Sequence, residues 1–190
     1  GWRVNAELGH LRPRLRDSRG NRRLLALAVD AEPVAGTLLE AEIEYSRQSQ
    51  PSTPGLSLLG NHLPSARDID PRINLNNQAW SLPMVMGGRT GSVRLTQALA
   101  GEWRLVAHAM RQRLDSDDRI AFPFGCSSED DYTRYCSDGS FDLYDFRSEG
   151  ERRTSDALEL SLQGRARLAG IEHALRLGVL QSRQRASFGR

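Results

Sequence analysis

The residues best placed to do chemistry are three glutamates, Glu40, Glu42 and Glu44, in the stretch TLLEAEIEYS over 37–46. On a strand, positions two apart share a face roughly 6.5–7 Å apart, inside the separation of paired glycosidase carboxylates. A polar strand face facing water accounts for them without catalysis. Cys126 and Cys136 stand ten apart in a loop rich in Asp, Ser and Tyr. With no further Cys or His nearby to complete a metal site, they read as a local disulfide formed in an oxidising compartment. The acids Asp115, Asp117 and Asp118, with Glu129, Asp130 and Asp131, fail as a calcium loop because Cys126 occupies the twelfth position counted from Asp115. They read as a solvated loop. Gly87-Gly88-Arg89-Thr90-Gly91-Ser92 lacks the Gly-Lys-Ser/Thr ending of a phosphate loop and leads into a strand. His10, His62, His108 and His173 share no metal-like spacing. No nucleophile elbow or His-Glu-x-x-His motif occurs, so nothing argues for an enzyme.

The elements that carry these residues alternate with period two. Leu39, Ala41, Ile43 and Tyr45 point one way while Glu40, Glu42, Glu44 and Ser46 point the other. Three glutamates on one strand face do not belong in a small core; they suit a water-filled lumen with lipid behind the apolar side. The same pattern predicts seven strands, near 2–9, 23–31, 37–46, 91–99, 103–113, 154–168 and 173–185. Short turns near 32–36, 100–102 and 169–172 alternate with long loops near 51–83 and 114–150. In an antiparallel meander this puts the short turns at one end and the long loops at the other, as in a bacterial outer-membrane barrel.

Composition fits that class. The chain is 38 % hydrophobic and 26 % charged, with mean hydropathy −0.53. It has no apolar run of the roughly 18 residues that a transmembrane helix requires, whereas barrel strands are short and half polar. All 26 basic residues are arginine, which reads as genomic coding bias. A net charge of +2 with interspersed acids gives little support to nucleic acid as a partner.

The segments SRQSQPSTPGLSLLG, LPSARDIDPRINLNNQAWSLP, DDRIAFPFGC, CSDGSFDLYDFRSEGERRTSDALELSLQGRA and HALRLGVL, in that order, resemble TonB-dependent siderophore receptors of Gram-negative bacteria. The likeness implies an all-β antiparallel up-and-down meander, about seven strands of a larger transmembrane barrel of about 22 strands with a plugged lumen. It also implies a location in the cell outer membrane, contact with outer-membrane lipid, and import of a ferric siderophore driven by the TonB complex. The siderophore is then transported ligand, and no covalent cofactor is expected. Residues 1–190 resemble an interior part of such a barrel, without plug, TonB-contacting segment or terminal aromatic strand. An odd strand count with two free edges agrees with a partial barrel. For an anionic ferric chelate the resemblance makes Trp80 of the first long loop, and Arg119, Tyr132 and Tyr135 of the second, the candidate ligand-binding residues. Arginine supplies charge and a donor fork, and aromatic rings supply stacking faces. Uptake of cobalamin or haem, a passive porin-like channel and a soluble β-sandwich binding module are the alternatives.

Overall fold

Alternation of apolar and polar residues builds one sheet. The computed structural model describes residues 1–62, 65, 67 and 70–189; positions 63, 64, 66, 68 and 69 of the expected first loop, and 190, lie outside the described residues. The strands are β1 (Trp2–Leu11), β2 (Gly20–Val34), β3 (Thr37–Gln50), β4 (Leu58–Leu59), β5 (Leu82–Ala98), β6 (Arg104–Pro123), β7 (Arg134–Tyr135), β8 (Leu143–Leu168) and β9 (Ile171–Ser187). Seven of them form one antiparallel meander in the order β1-β2-β3-β5-β6-β8-β9, while β4 and β7 pair in parallel between the two long loops. The all-β meander expected from the sequence is therefore present. The sheet is open, with β1 and β9 at its edges.

All seven strands of the sheet outrun their expected limits, and three do so by nine residues or more. β5 begins at Leu82 rather than near Gly91, β6 runs on to Pro123, and β8 begins at Leu143. The second long connection is thus 124–142, not 114–150, and Arg119 lies on a strand rather than in a loop. Charge and glycine hid these extensions. One extra residue bulges out of β5 between Leu82 and Val85, and another out of β8 opposite Ser116 and Asp118. Gly150, with φ +69, sits in the second bulge, where a left-handed backbone favours glycine. At the opposite end the turns are tight. Ala169 (φ 51) and Gly170 (φ 80) close β8 onto β9 in two residues, both left-handed, matching the twist of the strands they join.

The register sorts most side chains by polarity. One face carries cross-strand apolar rows such as Ala31, Leu39, Leu95, Ala107, Leu160 and Val179. The other carries Asp30, Glu40, Arg94, His108 and Glu159 one residue away. The apolar face is uncovered: Ile43 is 60 % exposed and Val179 63 %. Few apolar residues are buried, and Ile120, Ala121, Cys126 and Cys136 all lie at the long-loop end.

The apolar band also slides along the strands. It covers 2–8 on β1, 25–31 on β2, 39–45 on β3, 91–99 around β5, 103–109 around β6, 158–168 on β8 and 171–179 on β9, with Gln97 and His173 as its polar members. Carried through the register onto β3, its midpoint moves from the level of residue 44 at β1 to that of residue 35 at β9. That is a shift of nine residues over six strand steps. At about 3.4 Å per residue and about 4.8 Å between strands, the band crosses the strands about 45° from their perpendicular.

Candidate functional site

Beyond the apolar band, β6 and β8 continue side by side toward the long loops. Alternation sets Asp118, Ile120 and Phe122 on the glutamate face, opposite Ser148, Phe146 and Tyr144 of β8. Arg119, Ala121 and Pro123 take the other face, opposite Arg147, Asp145 and Leu143. Phe122 stacks on Phe124 with ring centroids 5.3 Å apart, and Tyr144 and Phe146 remain 43 % and 54 % exposed. Tyr132, 58 % exposed, stands close enough that its charged form contributes to raising the Tyr144 phenol pKa, after burial and the hydrogen bond to Asp142. The result is an aromatic shelf on the glutamate face at the loop end.

Buried amides bolt the loops to this shelf. The Asn76 side chain donates to the Ser52 carbonyl at 2.8 Å and accepts from the Ala121 N–H at 2.7 Å, capping β6 where β5 has ended. Asn74 donates to the Arg16 carbonyl at 2.9 Å, tying in the 12–19 connection. Ser52 donates to Asp118 at 2.9 Å. Burial raises the Asp118 pKa, and its Oδ1 has no hydrogen-bond partner among the described residues.

The second loop is built around the expected disulfide. Cys126 and Cys136 are bonded, and the Cys126 and Asp131 backbones exchange hydrogen bonds of 2.6 and 3.1 Å. The Glu129 carboxylate lies beside the two sulfurs and accepts from the Ser137 N–H at 3.0 Å. Because each sulfur is bonded to the other, neither is a thiolate ligand for a metal.

The four expected ligand residues do not converge. Trp80 and Arg119 do meet, with the guanidinium 5.9 Å from the ring centroid, but Arg119 is on the same face as the apolar band. Its fork is taken up by Asp145 at 3.1 and 3.0 Å, and Arg147 binds the same carboxylate. Those two guanidiniums lower the Asp145 pKa to about 2. Tyr135 packs on Phe141 at 5.3 Å and donates to the Pro123 carbonyl, which makes it a loop anchor. Of the four, only Tyr132 is linked to the aromatic shelf, through its small part in raising the Tyr144 phenol pKa.

Phe122, Phe124, Tyr144 and Phe146 are the members that reading the sequence missed. The signal was present as alternating apolar residues on both sides of the cysteine hairpin, in RIAFPF and FDLYDF. The acidic cluster is occupied piece by piece. Asp115 holds Arg113 and Arg152, Asp117 accepts from the Gly150 N–H, and Asp131 closes a turn at Thr133.

Farther down the same face the glutamates part company. Glu40 lies opposite Arg94, and Glu159 pairs with Arg176 at 2.9 Å. Glu42 and Glu44 face Ser92 and Thr90 on one side and Ala28 and Ala26 on the other. Small neighbours leave their carboxylates standing clear of the sheet. Among the described residues these two carboxylates have no hydrogen-bond or ion-pair partner, and they stand as an exposed acidic stretch of the polar face. A comparison with models of known protein families finds no match, and a comparison with curated proteins finds none either.

Proposed function

We propose that this chain is an arc of a TonB-dependent outer-membrane receptor that imports a ferric siderophore, as its sequence resemblance implies. The observation that carries the reading is the pairing of an uncovered apolar face with a polar, glutamate-bearing face, the apolar band slanting about 45° across seven strands. Strands of outer-membrane barrels tilt by about 35–45° and wear an apolar belt of fixed height, so a belt level with the membrane crosses them obliquely. A water-soluble sheet has no reason to keep leucine, isoleucine and valine uncovered in a continuous oblique band. The segregation of the short turns from the long, mutually bolted loops supports the same reading.

Capture then falls to the aromatic shelf at the loop end. Tyr132, Tyr144 and Phe146 offer exposed ring faces to a chelate entering from outside. Trp80 and Arg119 instead brace the outer side of the loop wall, since the Arg119 charge is already matched by Asp145.

Fluorescence titration of the intact receptor in detergent with ferric hydroxamate and ferric catecholate chelates tests this. Saturable quenching by one chelate, weakened by Tyr144→Ala or Phe146→Ala and unaffected by Trp80→Phe, is the expected result. If cobalamin or haem saturates the receptor while every ferric siderophore fails, the transported ligand is wrong although the barrel stands.

A further inference from the structure

The Cys126–Cys136 staple has a third donor beside it. The Glu129 carboxylate and the two sulfurs stand within 4.8 Å of one another. Hydrogen bonds hold that carboxylate in place: the Ser137 N–H donates to both of its oxygens at 3.0 Å, and the Ser137 hydroxyl donates to Oε1. Ser128 lies on the same short turn, Ser127–Glu129, with its Oγ 3.2 Å from the Cys126 sulfur and 3.5 Å from that of Cys136. Both cysteines are buried, while Glu129 is open to solvent. Two sulfurs and a carboxylate oxygen are three of the four donors of a tetrahedral zinc site, in which donors stand about 3.3–3.8 Å apart. Only the S–S bond keeps the set from holding metal, because neither sulfur is then a thiolate.

We propose that reduction of this disulfide converts the staple into a zinc site made by Cys126, Cys136 and Glu129, with water as the fourth ligand. A dithiol supplies the electrons. One of its thiolates attacks a cysteine sulfur and breaks the S–S bond, and its second thiol displaces that sulfur from the mixed disulfide. The reductant leaves as a cyclic disulfide, and two electrons and two protons remain on the cysteines. Zinc then takes both sulfurs as thiolates, and the two thiol protons pass to water. Ser137 orients Glu129 toward the metal, and the Ser128 Oγ is placed to donate to a negatively charged sulfur. The same two cysteines thus close the 124–142 connection in either redox state, through S–S when oxidised and through metal when reduced. Nothing in this site depends on the lipid contact of the sheet or on the transported ligand.

The test uses the intact protein in detergent, treated with a dithiol, desalted under argon and titrated with cobalt, whose bonds to thiolate give a charge-transfer band in the near ultraviolet. The reduced protein is expected to bind one cobalt per chain with that band, and zinc to displace it; the oxidised protein should show no band. Cys136→Ser should abolish the band. Glu129→Gln, which leaves the disulfide free to form and the loop to fold, should weaken cobalt binding in the reduced protein at least about tenfold. Zinc should also restore to the reduced protein the protease resistance of the 124–142 connection that reduction removes. A disulfide that the dithiol cannot open in the folded protein overturns the proposal. So does cobalt bound without the band, or bound equally well by Glu129→Gln. Zinc that binds without restoring protease resistance overturns the stapling role.

Discussion

An arginine scan along the outward positions of β8 separates a lipid-facing sheet from a water-facing one. Leu158, Leu160, Leu162, Gly164, Ala166 and Leu168 lie on the apolar face, flanked at the middle by Leu105 and Leu177. Ten residue steps at about 3.4 Å span about 34 Å along the strand. Tilted by about 45°, that length rises about 24 Å, the height of the apolar belt of an outer-membrane barrel. Leu162 therefore falls near the membrane midplane, and Leu158 and Leu168 near its two borders. Arginine at the midplane costs about 2–4 kcal/mol, and near the borders about 0–1 kcal/mol. In water the same substitutions at half-exposed positions stay within about 0.5 kcal/mol. Denaturant unfolding of the intact receptor from lipid vesicles, with Leu158→Arg, Leu162→Arg and Leu168→Arg, reads the difference directly. A profile peaking at Leu162 is expected. A flat profile below about 0.5 kcal/mol refutes the reasoning, whatever the ligand proves to be.

Two further outcomes follow from particular contacts. The depressed Asp145 pKa, about 2 against a usual carboxylate value near 3.9, means that its pairs with Arg119 and Arg147 add stability above pH about 4 and lose it as pH falls through about 2. The loss in loop protease resistance caused by Asp145→Asn should accordingly be constant above pH 4 and vanish near pH 2; a loss that grows on acidification contradicts the assignment. Gly164 lies beneath the Trp103 ring, so closely that an added Cβ would collide with it. Gly164→Ala should cost about 1–3 kcal/mol in thermal or denaturant unfolding, and the double variant Gly164→Ala with Trp103→Leu should recover most of it.

The meander was legible because most of its strand centres alternate without interruption. Leu39 to Tyr45 and Leu158 to Leu162 announce their faces, and that alternation fixes the register that the structure adopts. The strand extensions were not legible. MVMGGRT and FRSEGERR mix charge with glycine, and their bulges shift the alternation by a residue part-way, so the period breaks where the strand does not. Missing the charged extension of β6 moved Arg119 into a loop, and missing that of β8 hid Tyr144 and Phe146 from the candidate site. The union of Trp80 with Arg119, and the bolting role of Asn74 and Asn76, depend on contacts between distant segments that no local pattern carries. The Cys126–Cys136 disulfide was legible from spacing and context alone.

The most direct test of the central claim is collision accessibility of nitroxide labels placed one at a time at Ala157, Leu158, Glu159, Leu160, Leu162 and Gln163 in the receptor reconstituted in bilayers. Oxygen, which partitions into hydrocarbon, should broaden the labels at Leu158, Leu160 and Leu162 far more than a water-soluble nickel chelate does. At Ala157, Glu159 and Gln163 the preference for oxygen should disappear. A nickel chelate that reaches position 160 as freely as position 159 would show water on both faces of the sheet and contradict the account.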